Sequence, residues 1–339
     1  LKKNLYLGDN NIRQDFLRKD NSTIVIPIET NSSNKELRDI SLKHNFFPLG
    51  HSIPNFNVIY CDEGYGLIQY QSDRYGFNND DIKWDLNKKD ILIIGDSFAH
   101  GACVERQKNF SGIIDDYSKK ISINLGTDSS SIIHYILHSK IFIKKVNPDK
   151  IIFFLSGNDL MHNYDSKNYH NSFYKNSEIN NFNIYELNNL DFKNKTKNYY
   201  LEINEYIKNS STIRKQNKNY FKRVYIRFFK TLELEETRRF LCIKIRCNHK
   251  LFNNKKIYKN LISMSINQAN ALDNSSEIYF VLLTNKYNYV DYKPYLENKK
   301  LFIETFDRFK LKNNNIFLID LINHLDLSDS KLLPPNKTH

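Results

Sequence analysis

Ile91-Leu92-Ile93-Ile94 is a short, uniformly apolar run ended by Gly95, the pattern of a strand buried on both faces. Phe110, Ile113, Ile114 and Tyr117 then fall at i, i+3, i+4 and i+7, which predicts one apolar face of an amphipathic helix. Ile121-Ser122-Ile123-Asn124-Leu125 reads as a second strand, ended by Gly126. Ile132, Ile133, Ile136, Leu137 and Lys140 mark a second helix, with N-caps offered by Ser129-Ser130-Ser131. Asn147-Pro148-Asp149 stops it, and Ile151 to Leu155 is a third apolar strand. The rhythm resumes later with a helix at Leu261 to Leu272, a strand at Ile278 to Leu283, a helix at Leu301 to Phe309 and a strand at Ile316 to Ile319. Such alternation predicts a parallel sheet joined by right-handed crossovers.

Two regions lack this rhythm. Residues 1 to about 57 form an irregular leader with one strand candidate, Thr23 to Pro27. Val58 to Gln71 suggests paired strands around Asp62-Glu63-Gly64, and Ser72 to Asn79 a polar turn into the main domain. The stretch from about 161 to 260 is rich in Asn, Tyr and Lys, with helix-like segments at Leu201 to Lys208 and Tyr220 to Ile245. The expected fold is therefore α/β: a flavodoxin-like three-layer α/β/α domain over 81–339 with a five-stranded, mainly parallel sheet. An extension with short strands over 1–80 precedes it, and a mostly helical insertion at about 161–260 interrupts it.

Composition narrows the function classes. The 339 residues are 40% hydrophobic and 26% charged, enough apolar material for a sizeable core. The net charge of +12 permits an anionic glycan or membrane surface as partner. The basic residues are scattered, densest between Tyr206 and Lys259, and no nucleic-acid motif accompanies them, so no nucleic acid is expected. Cys61, Cys103, Cys242 and Cys247 are too few and too irregular for a disulfide framework and are expected to be buried or idle thiols. No metal or organic cofactor is implied. No apolar run approaches the ~18–20 residues needed to span a bilayer. Because the chain begins at Leu1 rather than Met, a signal or anchor outside it remains an open expectation.

The chemistry-bearing residues gather in three loops that end the first three strands: Gly95-Asp96-Ser97-Phe98, Asn124-Leu125-Gly126-Thr127 and Ser156-Gly157-Asn158-Asp159. In a parallel sheet the carboxyl ends of the strands share one edge, where ligands bind. A hydroxyl, a glycine amide and a carboxamide delivered there are what acyl transfer needs, a nucleophile with donors aimed at the developing oxyanion. Gly-Asp-Ser is also a good strand-to-helix connector with an N-cap, so turn chemistry is the competing reading. Asp96 is expected to organise that turn. His100 and His134 are expected to line the cleft or face solvent, and Cys103 to pack.

These residues resemble the blocks of the SGNH (GDSL-type) hydrolases. Gly95-Asp96-Ser97 matches the first block, Gly126 the second and Gly157-Asn158-Asp159 the third. Ser72 to Asn79 followed by Ile91 to Val104 is similar to envelope-associated bacterial members of that superfamily found with surface-polysaccharide genes. The resemblance implies a serine esterase or O-acyltransferase acting on acyl, often acetyl, esters of a bacterial surface glycan, on the envelope or periplasmic side. Ser97 would be the nucleophile, and the amides of Ser97 and Gly126 with the Asn158 side chain would form the oxyanion hole. Asp96 and Asp159 would support the turns. The fourth block, Asp-x-x-His, is matched by Asn336-Lys337-Thr338-His339, which makes His339 the base but puts Asn336 in the acid's place. Asparagine can orient an imidazole but cannot stabilise its cation as a carboxylate does. A Ser–His dyad, a carboxylate from elsewhere such as Asp320, or a catalytically weak glycan-binding or assembly protein follows from that departure. His324 is the alternative base.

Overall fold

The computed structural model describes residues 50–60, 68–128, 130–161, 194–202 with 205, 254–272, 276–283 and 293–323. The hairpin β1 (Asn57–Ile59) and β2 (Gln69–Gln71) pairs antiparallel, with Val58 opposite Tyr70. The main sheet contains β3 (Ile91–Ile94), β4 (Ser122–Asn124), β5 (Lys150–Leu155), β6 (Glu277–Leu282) and β7 (Ile316–Asp320). All neighbours are parallel, in the spatial order β4-β3-β5-β6-β7. Counted along the chain that is 2-1-3-4-5, the flavodoxin-like order, with its switch point between β3 and β5.

Helices α1 (Ser97–His100) and α2 (Phe110–Ser118) lie between β3 and β4, and α3 (Ile132–Val146) between β4 and β5. A short α4 (Gly157–Met161) follows β5, α5 (Lys255–Asn270) precedes β6 and α6 (Lys293–Lys310) precedes β7. Residues 194–202 are also helical. Reversal of direction at the switch point, with right-handed crossovers, sends α2 to one face and α3, α5 and α6 to the other. The two apolar clusters follow suit. Leu92, Ile94, Phe153, Phe280 and Leu282 pack with α3, α5 and α6, whereas Ile91, Ile93, Phe154 and Val281 pack with Ala99, Phe110 and Ile114. Phe153 and Phe280 stack with centroids 5.0 Å apart, each ring's burial contributing about 1.5–3 kcal/mol. The result is a three-layer α/β/α sandwich.

Three expectations shift. α5 and α6 begin well before the apolar runs at Leu261 and Leu301, and their first turns already bury Tyr258 and Tyr295. The helical stretch predicted for Leu201 to Lys208 begins earlier, at residue 194, and its described residues 201, 202 and 205 are helical. On α2 only Phe110 and Ile114 face the sheet; Ile113 is 50% and Tyr117 90% exposed. The helix sits over an edge strand, and its rotation is set by Asp115, whose Oδ1 accepts the Ser122 N–H at 2.9 Å while Lys83 Nζ holds Oδ2 at 2.5 Å. The strand candidate at 23–27, the turn at 62–64 and the segment Tyr220 to Ile245 lie outside the described residues. No helix among the described residues is long and apolar enough to cross a membrane.

The open edge of β4 is closed by side chains. Asn124 N–H donates to Asn79 Oδ1 at 2.8 Å, and Asn79 Nδ2 donates to Asn124 O at 2.9 Å, so one carboxamide replaces a missing strand. Lys83 Nζ reaches Ser122 O at 3.3 Å. Capped this way, the edge offers no template for a further strand.

Asn79 ends the turn that looked merely polar in sequence. At its centre lies buried Asp73, which accepts the N–H groups of Tyr75 and Phe77 at 2.9 Å each, Asn79 Nδ2 at 2.8 Å and Trp84 Nε1 at 2.8 Å. Burial outweighs these donors and pushes the carboxyl up to about 6, still an anion at neutral pH. Gly76 is required here: its φ is 87°, and a Cβ would stand 2.2 Å from Ser52 O. Phe77 and Trp84 belong to the main core, so the turn is built into the α/β domain.

Candidate active site

The turn after β3 is made tight by its neighbours. A Cβ on Gly95 would meet the Ala99 Cβ at 2.6 Å, and Gly95 O accepts the Thr127 N–H at 3.1 Å and Ser130 Oγ at 3.0 Å. Asp96 caps α1 by accepting the Phe98 N–H at 2.9 Å. One turn later Gly101, at φ 80°, ends the helix where a Cβ would stand 2.2 Å from the Asn109 Cβ. Ser97 thus sits on a strand-to-helix corner, partly exposed. Among the described residues neither its N–H nor its Oγ has a hydrogen-bond partner.

β3 and β5 are neighbours, with Ile94 opposite Phe153, so the turn after β5 rises beside Ser97's. On it Asn158 is exposed and Asp159 is buried. The third loop also arrives, but its glycine does different work. The Gly126 N–H donates to Asn124 Oδ1 at 2.8 Å, while Asn124 Nδ2 donates to Ala99 O at 2.6 Å. A Cβ on Gly126 would stand 2.1 Å from His100 N. Gly126 therefore seats its loop against α1, and its amide hydrogen is spent on Asn124 rather than presented to a ligand. The expected role of that amide as an oxyanion donor does not fit this geometry.

Beneath the two turns lies a buried polar group. Asp159 accepts Tyr135 Oη at 2.9 and 3.0 Å and the Ser156 N–H at 2.8 Å, and stands 3.2 Å from Ser156 Oγ. Asp96 is buried as well. Burial raises both carboxyls above the usual range, and the charge of Asp96 lifts Asp159 further.

The histidines depart from expectation. His100 is fully buried: its Nε2 is 3.0 Å from Tyr70 Oη, and its Nδ1 has no hydrogen-bond partner. His51 and Tyr60 pack on it, with ring centroids 4.4 and 4.9 Å away. Burial holds the His100 imidazole well below its ordinary pKa, so it is neutral. His51 Nδ1 accepts the Asp128 N–H at 3.2 Å. His134 is buried too, and its Nδ1 accepts the Ser131 N–H at 3.0 Å in the cap of α3. The aromatic neighbours of His100 come from residues 51–70, a region whose pattern gave no hint of the site. His324, Asn336 and His339 lie outside the described residues. Asp320 ends β7, where its Oδ2 meets Lys299 Nζ at 2.5 Å. Three inter-strand steps, roughly 14 Å, separate β7 from β3.

Cys103 packs as expected, 4% exposed, but not as a free thiol. It is disulfide-bonded, with its partner sulfur outside the described residues, and it sits at φ 59° in the turn after α1 against Val58, Tyr60 and Tyr70. Irregular spacing hid this, because a single cross-link between distant segments leaves no periodic signature. Among the described residues no group of three or more His, Cys, Asp or Glu side chains could hold a metal ion. No protein-family model matches the chain, and no curated protein matches it.

Proposed function

We propose that the chain is a serine esterase or O-acyltransferase working through an acyl-Ser97 intermediate on acyl esters of a saccharide. The observation that carries this reading is the placement of Ser97. A partly exposed hydroxyl and an open N–H stand at the switch point of a parallel sheet, one strand from the exposed carboxamide of Asn158.

Ser97 Oγ attacks the ester carbonyl as an imidazole takes its proton, and the carbonyl oxygen becomes an oxyanion facing the Ser97 N–H and Asn158 Nδ2. Collapse expels the alcohol, which takes the proton from the imidazolium. Water or a sugar hydroxyl then attacks the acyl-serine, giving up its proton to the same imidazole, and collapse breaks the bond to Oγ as the imidazolium returns that proton to Ser97. The resemblance assigns that base to His339, with His324 as the alternative. An acetylated envelope glycan is the substrate class the resemblance implies. The disulfide at Cys103 supports the same setting, since such bonds persist in oxidising compartments. Asn336 favours one rival, a glycan-binding protein that keeps the fold with little catalysis.

A fluorophosphonate probe separates the two. Labelling that Ser97→Ala abolishes, with unfolding unchanged, is the expected result. Wild-type protein that stays unlabelled while it binds acetylated glycan would establish the rival.

A further inference from the structure

We infer that Tyr70 of the hairpin is a positioning residue for Ser97, acting through His100, and that protonation of His100 releases this hold. The route is short, because α1 is a single turn with Ser97 at its start and His100 at its end. The His100 N–H donates to Asp96 O at 2.9 Å, so a shift of His100 carries to the serine corner. The α/β domain holds the backbone of His100: Asn109 Nδ2 donates to its carbonyl oxygen at 3.2 Å. The imidazole is held by the hairpin and the segment before it. Tyr70 Oη stands 3.0 Å from Nε2, and the rings of His51, Tyr60 and Tyr70 lie 4.4, 4.9 and 5.5 Å from the imidazole. His100 is fully buried, and among the described residues its Nδ1 has no hydrogen-bond partner.

Counting hydrogens shows why this contact depends on charge. In either neutral tautomer a single hydrogen bond joins the imidazole to the phenol. Protonation adds a second N–H to the ring. On Nε2 it ends acceptance of the Tyr70 O–H, and on Nδ1 it faces no acceptor, while the charge itself sits in a dry aromatic cluster. The ionisable groups around the ring come from four places. His51 precedes β1, Tyr60 and Tyr70 belong to the hairpin, Asp128 lies in the loop after β4, and Arg106 follows α1 with its guanidinium 5.9 Å from the Tyr70 ring centroid. His51 and Arg106 act against a positive charge on His100 and Asp128 acts in its favour, but burial dominates and keeps the imidazole well below its ordinary pKa. A folded-state value below the unfolded one means that the neutral ring's contribution is complete above about pH 6.5. It is lost as pH falls toward the depressed value, by up to about tenfold in the folding equilibrium per pH unit. Acid thus loosens the hairpin from α1 and frees the serine corner.

That this corner carries a nucleophile rests on the proposed function; the His100 contact does not. Tyr70→Phe keeps the ring and removes the hydroxyl, while His100→Gln keeps a neutral acceptor near Nε2 and takes up no proton. In fluorophosphonate labelling of the full chain at neutral pH, Tyr70→Phe should lower the maximal rate about tenfold at an unchanged half-saturating probe concentration. A maximal rate equal to wild type overturns the positioning role. In thermal unfolding from about pH 8 down to about pH 4.5, His100→Gln should gain several degrees on wild type as pH falls. A difference that stays constant with pH overturns the acid release. Should His100→Gln fail to fold, imidazole nitrogen resonances of the wild type take its place. One ring that stays neutral below about pH 5 supports the release, and rings that all titrate near about 6.5 overturn it. Wild-type protein that never labels, with melting curves that still diverge, removes the hydrolase reading and the positioning role with it, and leaves the acid-sensitive contact standing.

Discussion

Two buried carboxylate sites in this fold are built in opposite ways. Asp73 stands alone and collects four donors, two of them backbone N–H groups of its own turn. Asp96 and Asp159 are both buried and raised above the usual range, and the charge of Asp96 lifts Asp159 further. The first is a closed arrangement with every donor aimed at a fixed anion, and its consequence is rigidity. The second sets two buried carboxyls within each other's field, one in each of the two turns that reach the ligand edge. A lone anion with its own donors staples the fold, while a pair of raised carboxyls makes stability answer to pH.

The contrast can be broken by experiment. Asp73→Ala strands four buried donors and should cost about 3–5 kcal/mol in urea unfolding, the largest effect expected from either site. A loss under about 1 kcal/mol would show that water replaces the carboxylate, and the staple reading fails. At the rim the balance reverses: Asn158→Ala should slow probe labelling by about 10²–10³, a larger effect than its effect on stability. Equal losses of labelling and stability would instead make Asn158 a structural cap. The pH dependence is the smallest and sharpest test. The Asp73 carboxyl is raised to about 6 in the folded state, so its contribution falls as pH climbs from about 4 and is flat above about 6. That fall amounts to roughly 3 kcal/mol at most. In Asp73→Asn the wild-type slope below about pH 6 should shrink, while the part owed to Asp96, also raised to about 6, and to Asp159 persists. A slope that Asp73→Asn abolishes altogether would leave nothing for the pair.

Much of the sheet was legible because buried parallel strands are written as uninterrupted apolar runs. Ile91–Ile94, Lys150–Leu155 and Glu277–Leu282 lie within a residue of where their patterns place them. The corner at Ser97 was legible for a related reason, since Gly-Asp-Ser after such a run specifies a tight turn with its own cap. Less could be read of α2. Helical spacing names a face but not how much of it is covered, and an edge position left Ile113 and Tyr117 in solvent. The Gly126 amide was misjudged because sequence shows that a glycine reaches the rim but not that Asn124 already holds its hydrogen.

By itself, then, the sequence determined the strand and helix alternation, the parallel sheet and the delivery of Ser97 and Asn158 to one edge, all consequences of local periodicity and turn chemistry. Tertiary structure alone decided the strand order, the burial of His51 and His100 against Tyr60 and Tyr70, the cross-link at Cys103 and the bond from Tyr135 to the buried Asp159. Each of those joins residues far apart in the chain. Their energies arise from shared burial and scarce hydrogen bonds, which no residue carries until its neighbours are in place.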